Sequence, residues 1–153
     1  MINILLVDDH AIIRTGLKIF IANYILHSDI DEAGDGNSAF EKIKSKEYKL
    51  IVLDVNMPNT NSFGLVSKII AFKQDANILM FSMNAEEAYA KKYLQLGAKG
   101  YLSKASPEKE VELALDRVLS SKSYISPALN MPLLKSPGQK IQRSLCKFFT
   151  GGV

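Results

Sequence analysis

Short apolar runs separated by longer stretches of helical spacing organise this chain. Leu50 to Leu53 run without a polar break and end on Asp54, and Met57-Pro58 then stop the run. A run that short and aliphatic predicts a strand buried on both faces, as in a parallel sheet covered by helices. Proline cannot donate to a ladder and restrains the residue before it, so Asp54 is delivered to the C-terminal end of the strand. Similar runs lie at Ile2–Val7, closed by Asp8-Asp9, at Asn77–Ser82 and at Lys99–Ser103, followed by Lys104. Asp29–Ala33 predicts a weaker, polar strand near a sheet edge.

Between the strands the period changes. Ile13, Leu17, Phe20, Ile21 and Tyr24 recur as on an amphipathic helix. After the turn Gly34-Asp35-Gly36, Ser38 with Glu41 predicts a capping box opening a helix to Lys46. Leu65, Val66, Ile69 and Ile70 mark a third helix. Asn84 and Glu87 open a fourth, which runs to about Leu96 and is closed by Gly97. Ser106-Pro107-Glu108 predicts a helix start with Ser106 as cap and proline in the first position, and Val111, Ala114, Leu115, Val118 and Leu119 give that helix its buried face. Five βα units in succession predict an α/β fold. Its five-stranded parallel sheet is doubly wound in the flavodoxin-like order 2-1-3-4-5, with helices on both faces.

Composition adds little until charge is located. A hydrophobic share of 47% with 23% charged residues over 153 residues suits one globular domain. All 16 acidic residues precede Ala128, while Lys135, Lys140, Arg143 and Lys147 follow it. Residues 1–127 thus hold 15 of the 19 basic residues, a net charge of −1, and residues 128–153 carry +4. The overall +3 belongs to the tail, and the body has no nucleic-acid footprint. The single Cys146 excludes an internal disulfide. No apolar run approaches membrane-spanning length, and Met1–Asp9 lacks the basic region of a signal peptide, so a cytoplasmic location is expected.

The strand ends carry the chemistry. The predicted topology brings Asp8, Asp9, Asp54, Ser82 and Lys104 to one edge of the sheet, where open α/β folds bind ligands. Clustered carboxylates repel one another unless a cation sits among them, and an all-oxygen set suits Mg²⁺ better than zinc. A strand end leaves the polar tips of Ser82 and Lys104 within reach of water. His10 reads as a solvated first-turn residue in preference to a ligand, and His27 as a surface loop residue.

These residues make the chain resemble the receiver domain of bacterial two-component response regulators over residues 1–127. The resemblance rests on Asp8-Asp9, Asp54 with Met57-Pro58, Ser82, Tyr101 and Lys104, with the steps of 19 and three residues between the last three. Asp9-His10, Arg14, Gly16-Leu17, Ser106-Pro107-Glu108 and Tyr124-Ile125-Ser126-Pro127 are similar to the NarL/FixJ type, whose receivers usually precede a DNA-binding domain. The resemblance implies that Asp54 takes a phosphoryl group from the phosphohistidine of a partner kinase. It also implies that Asp9, Asp54 and the Asn56 carbonyl hold Mg²⁺, with Asp8 helping through water. Lys104 would neutralise charge, Ser82 would bond a phosphoryl oxygen, and an inward Tyr101 would pass the change to the surface. The implied protein is a signalling switch controlling output, in particular transcription, and not an enzyme beyond its own phosphoryl transfer and slow dephosphorylation.

Two positions depart from the family pattern. Ser62 stands where a glycine is usual, with Gly64 nearby, and Ala105 follows Lys104 where many receivers have a cis proline. A trans bond is expected at Ala105.

Other classes fit less well. An aspartyl-nucleophile phosphatase needs a second acid where Asn56 stands, and a flavodoxin-like cofactor binder would meet repulsion from Asp8-Asp9. A stand-alone or degenerate receiver serving as a protein-interaction module is the alternative, and a second copy forming a homodimer is a separate candidate partner. Pro127, Pro132 and Pro137 prevent a long helix between Ser126 and Gly138, and Ile141, Leu145, Phe148 and Phe149 mark one short amphipathic segment, which alone cannot form a helix-turn-helix. Residues 128–153 read as a linker or tail, and the chain is not expected to bind specific DNA alone, nor a membrane.

Overall fold

The computed structural model describes residues 1–83 and 86–126. Its strands are β1 (Ile2–Val7), β2 (Ser28–Ala33), β3 (Leu50–Asp54), β4 (Ile78–Ser82), β5 (Gly100–Ser103) and β6 (Tyr124–Ile125). The helices are α1 (Ala11–Tyr24), α2 (Gly36–Ser45), α3 (Ser62–Phe72), α4 (Glu87–Leu96) and α5 (Glu108–Leu119). All strand pairs are parallel, in the order β2-β1-β3-β4-β5-β6. The expected 2-1-3-4-5 order is present, with one correction: a sixth strand closes the β5 edge. Tyr124 and Ile125 pair with Gly100 and Tyr101, and Ser126 N–H donates to the Tyr101 carbonyl at 3.0 Å. A two-residue strand is too short to show a period, so its existence depends on the edge that receives it.

The period of two along each central strand sorts side chains onto the two faces. Leu5, Val7, Ile51, Leu53, Ile78 and Met80 pack with α2, α3 and α4 through Ala39, Ile43, Val66, Ile69, Ala90 and Tyr93. Ile4, Leu6, Leu50, Val52, Leu79 and Phe81 pack with α1 and α5 through Ile21, Ala114, Leu115 and Val118. The polar strand β2 is an edge, as its sequence predicts. Lys46 pairs there with Asp29 at 3.0 Å and Asp31 at 2.9 Å, which puts charge along the exposed ladder.

Two helix starts differ from expectation, and a third rests partly on a residue outside the described ones. The cap of α2 is Asp35, whose Oδ1 accepts from Ser38 N–H at 2.7 Å, so the Ser38/Glu41 box lies one turn too late. Pro107 occupies the cap position of α5, and Ser106 makes no side-chain cap. Helix α4 opens at Glu87 after Glu86, and Asn84 lies outside the described residues. The closure by Gly97 is as expected, at φ 118°. A Cβ on Gly97 would also come to 3.1 Å from Ile70. Gly97→Ala is therefore expected to cost about 1–2 kcal/mol in urea unfolding, the usual penalty of a left-handed backbone for an L side chain. An unchanged midpoint would show that the turn relaxes freely.

Candidate phosphoacceptor site

Parallel register fixes which strand ends meet. Val7 lies beside Leu53, Asp54 beside Phe81, and Ser82 beside Ser103. The residues just beyond Val7 and Ser103 therefore lie on the same rim as Asp54 and Ser82. The structure brings Asp8, Asp9, Asp54, Ser82 and Lys104 together, as the topology implies.

Asp54 is 1% exposed. Its Oδ1 accepts from the Asn56 N–H at 3.0 Å and lies 3.0 Å from Lys104 Nζ. Its Oδ2 is buried with no hydrogen-bond partner among the described residues. Burial raises the Asp54 pKa above the ordinary carboxylate value, and the Asp8 charge adds to this, while the Asn56 N–H and Lys104 act in the opposite direction. Asp8 Oδ1 accepts from the His10 N–H at 2.8 Å, and Oδ2 accepts from Lys104 Nζ at 3.2 Å. One ammonium group thus serves two buried carboxylates.

The Lys104 side chain is 6% exposed and Ser82 is 1% exposed. This corrects the expectation that water reaches their tips. Ser103 Oγ accepts from Ala105 N–H at 3.1 Å, and Lys104 N–H donates to the Ser82 carbonyl at 2.7 Å, so the turn after β5 folds the lysine inward. No cis peptide bond occurs among the described residues, and Ala105 follows a trans bond as expected. The Ser82 hydroxyl lies 3.4 Å from Asn56 Oδ1. Tyr101 is completely buried, its ring 6.2 Å from that of Tyr93. Burial raises its pKa.

Asp9 is the more open acid, with its side chain 26% exposed. His10 occupies the cap position of α1 without a side-chain cap bond and is exposed, as expected of a solvated residue. Its Nδ1 nevertheless faces both acids, at 3.3 Å from Asp8 and 3.1 Å from Asp9. Oxygens of Asp8, Asp9 and Asp54 and a His10 nitrogen all lie within 4.8 Å of one another. A carboxylate-rich donor set containing an unpartnered buried oxygen fits a hard divalent cation such as Mg²⁺. His27 lies exposed after α1, as a surface residue should.

Two contributors were not assigned a role from sequence. Arg14 donates through Nη1 to the Asp8 carbonyl and through Nε to Glu32 at 2.9 Å, bracing the acidic turn from α1. Ser62, at the glycine position, is 5% exposed, and its Oγ donates to the Val55 carbonyl at 3.1 Å and lies 3.4 Å from that of Asp54. The loop before α3 turns through Asn59 at φ 63°, and Asn61 caps the helix by accepting from Gly64 N–H at 3.1 Å. No described helix is long and apolar enough to cross a membrane.

Residues 4–116 match the response regulator receiver domain. The chain belongs to that family. Among curated relatives, the receiver resembles the oxygen regulatory protein NreC of Staphylococcus carnosus, with 32% identity over 133 residues, 86% of this chain and 61% of NreC. It resembles the response regulator UvrY of Escherichia coli at 32% identity over 126 residues, 82% of this chain and 58% of UvrY. The chain thus spans about three-fifths of the length of these relatives. Both likenesses accord with the NarL/FixJ-type resemblance seen in the sequence.

Among solved structures, a LuxR-family two-component response regulator from Aurantimonas sp. SI85-9A1 superposes with a TM-score of 0.79 at 29% identity, covering 84% of this chain and 91% of that one. The isolated receiver domain of RcsB from Salmonella enterica serovar Typhimurium, solved with the phosphomimetic BeF₃⁻, gives 0.77 at 19% identity over 84% and 96% of the two chains. That second likeness supports the fold alone.

Proposed function

We propose that this receiver accepts a phosphoryl group on Asp54 from a histidine kinase or phosphotransfer protein and thereby changes its surface to control output. The observation that carries the reading is the unpartnered, buried Asp54 Oδ2 beside Lys104 and the Asp8-Asp9 pair. An Asp54 oxygen forms the new P–O bond as the P–N bond to the donor imidazole breaks, and the bonding pair leaves with the imidazole. Transfer of this kind needs in-line placement and neutralisation of charge more than covalent assistance. Asp9, Asp54 and the Asn56 carbonyl would hold Mg²⁺, with Asp8 acting through water. The ion would supply charge neutralisation beside Lys104. Ser82 then bonds a phosphoryl oxygen, and Tyr101 transmits its position.

Residues 1–127 form the receiver in this reading, and 128–153, which lie outside the described residues, form a basic linker or tail. Transcription would be controlled through a DNA-binding output domain, in the cytoplasm. Turnover is limited to the protein's own phosphoryl transfer and dephosphorylation. The intact site argues against a degenerate receiver.

The test is incubation with acetyl phosphate, with and without Mg²⁺, followed by intact mass measurement. One phosphate should be added, and only with the cation present. Asp9 is the open acid and Asp8 is already tied to Lys104, so Asp9→Asn should raise the Mg²⁺ needed for half-maximal labelling by about tenfold or more, as loss of one anionic ligand implies. Labelling at the parent Mg²⁺ concentration by Asp9→Asn would remove Asp9 from the ligand set, and labelling independent of Mg²⁺ would overturn the metal assignment.

A further inference from the structure

We propose that the His10 imidazole is a further ligand of the cation site at Asp8, Asp9 and Asp54, so that this receiver holds divalent cations of the first transition row more tightly than Mg²⁺. The inference rests on the metal reading of that cluster and deepens it, because that reading needs oxygen donors alone. The turn after β1 aims the ring. Asp8 Oδ1 accepts from the His10 N–H at 2.8 Å, and the His10 carbonyl accepts from the Arg14 N–H at 3.0 Å. His10 is thus held on both backbone sides, between the acids and α1. It occupies the cap position of that helix, yet its side chain makes no cap bond. Its Nδ1 lies instead 3.1 Å from Asp9 Oδ1 and 3.3 Å from Asp8 Oδ1.

Those separations are the ones donors adopt around a shared ion. Two ligands about 2.1 Å from one centre and at right angles to each other stand about 3.0 Å apart. The three carboxylates and the imidazole offer donor atoms within 4.8 Å of one another. That is a little more than the span of about 4.2 Å across an octahedron of this size. An independent feature points the same way. Asp54 is 1% exposed, and its Oδ2 has no hydrogen-bond partner among the described residues. The His10 side chain is 57% exposed, which leaves its side of the cluster open to a hydrated ion. Imidazole suits the transition metals, whereas carboxylate, carbonyl and water are enough for Mg²⁺. A separation of 3.1 Å also suits a hydrogen bond in which the ring is only a counter-charge to the acids. The two roles part when the ring is removed. A counter-charge opposes every cation alike, while a ligand supports the transition metal selectively.

Calorimetric titration of the tag-free protein with Mg²⁺ and with Co²⁺ separates them, for the parent, His10→Ala and His10→Asn. Loss of the ring should weaken Co²⁺ binding by about tenfold or more, the scale on which groups around a bound metal act. Mg²⁺ affinity should stay close to the parent value. Proton spectra of the Co²⁺-loaded parent should show a hyperfine-shifted, exchangeable ring N–H that both variants lack. His27, the chain's other histidine, is exposed, and its carbonyl accepts from the Ile2 N–H at the far end of β1, so His27→Asn should keep that signal. Equal changes for the two cations, or a loaded parent without the shifted signal, would overturn His10 as a ligand while leaving the carboxylate site. A parent that binds neither cation, or an Asp54→Asn variant that binds both as tightly as the parent, would overturn the metal reading itself, and this inference with it.

Discussion

Asp54→Asn should abolish labelling by acetyl phosphate and, at neutral pH, make the metal-free protein more stable than the parent. The first effect follows because the amide is no nucleophile toward phosphorus and no other acid of the cluster combines burial, a strand end and an unpartnered oxygen. The second follows from the sign of the Asp54 shift. Its folded pKa is raised, chiefly by burial. The folded state therefore holds the proton more tightly than the unfolded chain does. The stabilisation tied to that proton is present below the unfolded carboxylate pKa and is lost as pH rises through the folded value. Above the unfolded pKa the folded parent must bury a charge or hold a proton that the unfolded chain has released, and asparagine removes that cost. The Asn56 N–H and Lys104 keep an acceptor oxygen, and Lys104 keeps Asp8. The gain should be about 1 kcal/mol, or about 4 °C in Tm, and should shrink on acidification toward the unfolded pKa. Thermal melts at several pH values without divalent cation check this. A variant less stable than the parent at neutral pH would show that Lys104 overcompensates the burial cost.

The buried strands and the convergence of acids at their ends were legible because both depend on short-range patterns. Leu50–Asp54 is apolar throughout, with proline close behind, and parallel order then leaves few places for Asp8 and Lys104. Features set by distant partners were not legible. Strand β6 has two residues and no period, and exists because Gly100 and Tyr101 offer an edge. Asp35 and Ser38 both suit a helix cap, and only the path of the turn decides between them. The Ser62 hydroxyl, which donates to the Val55 carbonyl, stands where the family pattern suggests glycine. The burial of Lys104 depends on Asp8, which lies 96 positions away, and on the turn at Ser103–Ala105. A terminal lysine on a strand reads as solvated until that turn is known.

The burial of Lys104 leads to the other large expected effect. Its Nζ is 3.0 Å from Asp54 Oδ1 and 3.2 Å from Asp8 Oδ2, and all three side chains are no more than 7% exposed. Lys104→Met keeps most of the apolar stem and removes the charge. The two carboxylates are then buried without a cation, an arrangement that costs about 3–5 kcal/mol when one partner of a buried pair is deleted. Protonation relieves part of that cost. Loss of Lys104 removes a contribution that lowers the Asp54 pKa, so the value rises further above its unfolded reference. Stability is then lost as pH rises through that higher folded value, so the deficit of Lys104→Met should be greatest above it and shrink on acidification. In an Asp54→Asn background only Asp8 remains unpaired, so the same lysine replacement should cost less there, by about 1–3 kcal/mol of coupling. Phosphoryl transfer from acetyl phosphate should also slow by about 10²–10³, the usual effect of losing one preorganised charge at a reacting centre. Urea unfolding of the four proteins in this cycle at two pH values, with labelling rates for the two that retain Asp54, measures both effects. A pH-independent cost below about 0.5 kcal/mol, as for a surface substitution, would show that Lys104 is solvated and that the carboxylates do not depend on it.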